Sequence, residues 1–97
     1  MSITYVMPLH MQPQLPQLFL KLIDTHADFR HSAQHEAFPV LYADIESYKV
    51  NPHCSCKHRI LAYAQQHPVL VAQHIEHWHA SHAHITLLDA HGRIALY

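Results

Sequence analysis

The sequence predicts an α+β fold of three helices and a C-terminal β-hairpin, with room for one or two short N-terminal strands. Three observations carry that prediction. Apolar residues recur at helical spacing in stretches that open at prolines. Short β-branched and aromatic runs lie before and between those stretches. The only glycine of the chain, Gly92, falls between two such runs, where a hairpin turn needs a positive φ.

Residues 3–7 (Ile-Thr-Tyr-Val-Met) read as an edge strand that stops at Pro8. From Pro13 the period changes. Leu15, Leu18, Phe19, Leu22 and Ile23 lie on one face of a helix, expected to reach Arg30. Residues 31–37 read as loop and residues 38–42 as an extended strand, while residues 44–50 fit either a helical turn or more strand. Asn51-Pro52 pairs an N-cap residue with a first-turn proline and predicts a second helix to about Gln66. Pro68 disfavours helical geometry at His67 and starts a third helix, running to residues 79–82. Residues 85–89 and 93–97 then flank Ala-His-Gly as the two arms of a hairpin. This order also matches the winged-helix topology, a likeness of topology without a sequence motif.

At 97 residues the chain is read as one domain, 1–97. Its core is thin enough that a metal or a partner chain would help it. Six basic and seven acidic side chains exclude a strongly basic nucleic-acid binder and an acidic disordered tail. The third helix, which would be the recognition helix of a winged module, holds Glu76 and no Lys or Arg, which argues against DNA contact. No apolar run approaches the roughly 20 residues of a membrane span, and the first residues lack a basic, apolar leader pattern. The expectation is a soluble, cytoplasmic protein.

Thirteen histidines are the outlier. Cys54 and Cys56 are too few for a disulfide framework, and bridging them across one residue is read as strained, so they point to metal or redox work. At about 100° per residue, His53 and Cys56 fall on the side of the second helix that holds Ile60, Tyr63 and Ala64, with Cys54 at its margin. On the third helix His79 and His82 share the stripe of Val71, Ile75 and Trp78. Folding the two helices about His67-Pro68 as an αα-hairpin brings the start of one beside the end of the other. Cys54, Cys56, His79 and His82 then form a Cys2His2 set of the kind structural zinc takes, with His53 and His58 as reserve ligands. Zinc would add the folding energy a thin core lacks.

The functional expectation is a small non-catalytic binding or assembly module with a structural zinc. Its alternative is a metal-free interaction protein, self-associating or part of an assembly, in which these Cys and His residues only pack. A third reading is a thiol redox protein using Cys54, with His58 four residues on as its base. The run His74, His77, His79, His82 and His84 also fits a loose nickel or copper buffer. No phosphate-cradling glycine loop, nucleophile elbow or paired carboxylates point to an enzyme.

Overall fold

The computed structural model describes residues 7–95, and among these it is helical without a single strand. The α+β expectation is therefore corrected, and with it the winged-helix likeness, which needs a sheet. The expected strand at residues 3–7 lies outside the described residues except for Met7.

Helix α1 (Leu15–Thr25) is the spine of the core. Leu15, Leu18, Phe19, Leu22 and Ile23 are all buried, as their spacing predicts, and Pro16 sits in a first turn whose amides need no partner. The helix stops short of Arg30, because His26 is extended (φ −123°, ψ 103°). Two side chains serve that end. The Thr25 hydroxyl donates to the Lys21 carbonyl at 2.7 Å, and Arg30 Nη1 donates to the Ile23 carbonyl at 3.2 Å.

The break turns the chain so that α2 (Ala27–Ser32) carries Phe29 back into the core. Residues expected as loop continue the helix as a wide π turn, Ala33–Ala37, closed by the Phe38 amide on the Ala33 carbonyl at 2.8 Å. That turn buries Gln34, whose Nε2 donates to the Tyr42 carbonyl (3.2 Å) and to Glu46 Oε1 (2.6 Å). The segment expected as a strand is a 3-10 turn, Pro39–Leu41, leading into α3 (Tyr42–Val50). Phe38, Leu41, Ile45 and Tyr48 are buried along residues 38–50, spaced three, four and three apart, so helical packing overrides the β-preference of Val40 and Tyr42. Phe19 meets Phe29 and Phe38 edge to face, at 6.0 and 5.3 Å between centroids.

Helix α4 (Cys56–Gln66) begins four residues later than Asn51-Pro52 predicts. The Asn51 side chain is spent on a tight turn, accepting the His53 amide at 3.1 Å. Pro68 acts as expected. His67 is non-helical (φ −129°, ψ 56°), and α5 (Pro68–Ala80) starts at once. The expected αα-hairpin does not form. Helix α4 packs chiefly on α1 and α3, and α5 on α1 and the 3-10 turn Leu9–Met11, more than on each other.

The last described stretch, residues 81–95, turns at Gly92 (φ 75°) but pairs only Leu88 with Ile94, an isolated bridge in place of a hairpin. A side chain far away in sequence holds it. Buried Gln12 donates from Nε2 to the Met7 carbonyl (3.1 Å) and the Gly92 carbonyl (3.0 Å), and its Oε1 accepts the Ile94 amide (3.0 Å). No helix among the described residues is long and apolar enough to cross a membrane.

Candidate functional site

Cys54 and Cys56 come together at the start of α4, where the Asn51 turn brings their Cα atoms to 5.2 Å and the sulfurs pair as a disulfide. That separation lies within the ~4.4–6.8 Å a disulfide takes. Irregular backbone makes this possible, since Cys54 precedes the helix and only Cys56 belongs to it. Cys56 is fully buried beside the Ile60 and Ala64 face, while Cys54 is half-buried at the edge of the core. With Cys54 outside α4, the helical i, i+4 relation expected between Cys54 and His58 does not hold. His53 and His58 are both exposed.

The histidines expected opposite the thiols are engaged elsewhere. His79 Nε2 faces the Ile85 carbonyl at 2.5 Å, so that nitrogen carries a proton and has no lone pair to offer a metal. His82 is committed at both nitrogens. Nδ1 faces the Trp78 carbonyl at 2.9 Å, and Nε2 pairs with Asp28 Oδ2. Both ring nitrogens therefore face oxygen atoms of the protein. The His82 ring stacks on the Trp78 indole, 4.2 Å between centroids and 14° between planes. Helix-surface spacing could not reveal this, because α5 ends at Ala80 and His82 lies beyond it.

Among the described residues, no group of three or more His, Cys, Asp or Glu side chains converges to hold a metal ion. The metal-binding expectation is corrected on that finding. The run expected as a nickel or copper buffer is dispersed as well. His74 is wedged between Phe29 and Phe38, each 5.4 Å away, with Nε2 3.0 Å from the Ser32 hydroxyl, whereas His77 and His84 are exposed. Burial, aided by His77 and opposed by Glu36, pushes the His74 imidazole below its ordinary value, so it favours the neutral form.

Asp28 was given no role by its position in the sequence, yet it gathers three donors. Oδ1 accepts the Phe29 amide at 2.9 Å, and Oδ2 accepts Trp78 Nε1 at 3.3 Å and pairs with His82. Desolvation works to raise its carboxyl, but the Trp78, Phe29 and His82 contacts together hold it below the ordinary carboxylate range. The outcome is a clasp between α2 and α5 that anchors the start of residues 81–95.

Those residues form one wall of an open groove of about 520 Å³. Met7, Pro8 and Leu9 line it on one side, and Ile85, Leu87 and Leu88 on the other. Glu76 and His79 of α5 supply polar groups to the lining. The volume falls in the roughly 300–1,000 Å³ range of ligand pockets, and an apolar lining with few polar groups is their usual character. No family model, curated protein or solved structure matches the chain.

Proposed function

We propose that the chain is a small non-catalytic binding module that receives an apolar segment of a protein partner in the groove between residues 7–9 and 85–88. The groove itself carries this reading: a volume of about 520 Å³ with apolar walls from both ends of the described chain. Glu76 gives it a polarity, favouring a partner segment that sets a basic residue beside apolar ones. Zinc is no part of this reading, because no group of three or more His, Cys, Asp or Glu side chains converges among the described residues.

The test is selection of peptides from a random displayed library on the full chain, with Met7→Arg and Glu76→Arg variants as controls. Both positions are exposed, so both variants should keep the fold. Enriched peptides should combine apolar residues with Lys or Arg and should lose at least about tenfold in affinity on either variant, on the order of 1.4 kcal/mol. No enrichment, or binding indifferent to both variants, overturns the reading. Light scattering showing a dimer that Met7→Arg dissolves would replace the foreign segment with a second copy of the chain.

A further inference from the structure

We propose that Cys54 and Cys56 form a reversible dithiol–disulfide pair that exchanges with small disulfides, Cys54 acting as the attacking sulfur and Cys56 as the resolving one. The inference is independent of the groove. It rests on the pairing of the two sulfurs, on their unequal burial and on the charge around them.

The Asn51 turn holds the Cys54 backbone, whose amide donates to the Asn51 carbonyl at 3.1 Å, so the two Cα atoms stand within disulfide reach. Cys54 is half-buried, ahead of the helix, and a small molecule can reach it. Cys56 is fully buried, so its ready partner is Cys54. The chain holds no third cysteine to compete. Cys54 stands just ahead of the eleven-residue helix α4, whose amide end is positive, and Lys57 and Arg59 lie in the first turn of that helix. Both features favour a thiolate, the nucleophilic form. Asp44 is the acidic group of the neighbouring α3 that approaches them, and it is paired with Arg59 at 2.6 Å.

The exchange proceeds in two displacements. The Cys54 thiolate attacks one sulfur of an external disulfide RS–SR, forming Cys54–S–SR and expelling RS⁻. The Cys56 thiol gives its proton to solvent, and its sulfur then attacks the Cys54 sulfur, forming Cys54–Cys56 and expelling the second RS⁻. Both leaving thiolates take up protons. Two electrons pass from the protein dithiol to RS–SR, which leaves as two RSH, and the reverse sequence reduces the pair.

The experiment is equilibration of the full chain in buffers of varied reduced-to-oxidised glutathione ratio, followed by acid quench, alkylation and mass analysis. One two-electron transition between dithiol and internal disulfide is expected. Cys56→Ser should stop at a stable glutathione adduct on Cys54, and folded Cys54→Ser should form its adduct at least about tenfold more slowly. A wild-type chain that stays dithiol at every ratio, or takes up two glutathiones, overturns the proposal. So does a Cys54→Ser chain that reacts as fast as Cys56→Ser. If either variant loses its helical circular dichroism, alkylation of the reduced wild type decides. Peptide mapping must find Cys54 modified first, and equal or reversed order refutes the assignment.

Discussion

Replacing Gln12 by alanine should loosen the C-terminal stretch before anything else. Gln12 is buried, 6% exposed, and its amide serves three backbone groups at 3.0–3.1 Å. Its truncation leaves the Ile94 amide, which is buried, without an acceptor, at a cost of about 1–3 kcal/mol. The Met7 and Gly92 carbonyls are only partly buried and can turn to water, which limits their loss to roughly 0–1 kcal/mol each. The sum is on the order of 1–5 kcal/mol, a large part of the stability of so small a domain. Amide hydrogen exchange is the assay. The amides of Asp89, Ile94 and Ala95 should lose protection in Gln12→Ala, while those of the Ile60 turn of α4 keep most of theirs. Gln12→Glu keeps an acceptor for Ile94 but turns a carboxylate toward two carbonyl oxygens. It should be worse at pH 7 than at pH 4, where a protonated carboxyl again donates. Protection lost evenly across the chain, or a change under about 0.5 kcal/mol in Gln12→Ala, would refute the staple.

Three other substitutions test the clasp, the buried histidine and the turn. The Asp28 carboxyl sits below its ordinary 3.8, so its contribution is present above that pH and is lost as pH falls through the lower folded value. The urea midpoint of Asp28→Asn should therefore trail wild type at pH 6, by less than about 1 kcal/mol for so exposed a pair, and converge with it below pH 3.8; a gap that widens in acid would count against the clasp. His74 titrates below its ordinary 6.5, so its stabilisation is full above 6.5 and is lost as pH falls through that value toward the folded one. His74→Gln, which can still bond Ser32, should lose less stability than wild type between pH 7 and pH 5 in parallel denaturations, and an equal loss would exclude the buried imidazole as the cause. Gly92→Ala should cost about 1–2 kcal/mol, because φ 75° pushes a Cβ against the carbonyl; an unchanged thermal midpoint would show that the turn relaxes freely.

The elements legible in the sequence are those whose buried face and punctuation agree. Helix α1 shows five core residues on one stripe, and Pro68 marks the α4–α5 boundary to the residue. Residues 38–42 are misread as strand, and residues 44–50 stay open between strand and helical turn, because exposed Val40, Tyr42 and Val50 are as apolar as buried Phe38, Leu41 and Ile45. Local composition reads as strand there, and only the three-four-three spacing of the buried set betrays a helix. Asn51 misled for another reason, since an asparagine that can cap a helix can equally close a turn onto its own second neighbour. The pairing of Cys54 with Cys56 depends on that same turn. The helical wheel that set His79 and His82 toward the thiols places side chains by angle and is blind to the carbonyls and carboxylate that their nitrogens face.

The described part of the C-terminal stretch owes its place to side chains more than to its own backbone. It holds one bridge pair, and three pins tie it down: Gln12 at Gly92 and Ile94, His79 at Ile85, and His82 at Asp28. Each pin reaches a different element, so none can be released without shifting load to the other two. A segment held this way opens at a lower free energy than helices packed through a core. It is also the segment that forms one wall of the groove, with His79 serving both as a pin and as part of the lining. A partner that fills the groove binds only the closed arrangement, and it stabilises the wall by RT ln(1 + [L]/Kd), about 2.7 kcal/mol at a hundredfold excess over Kd. That is comparable to the whole contribution worked out for Gln12, so a bound partner should restore protection to the Gln12→Ala wall. Binding and C-terminal order are thus one equilibrium, which ties the proposed function to the least regular part of the fold.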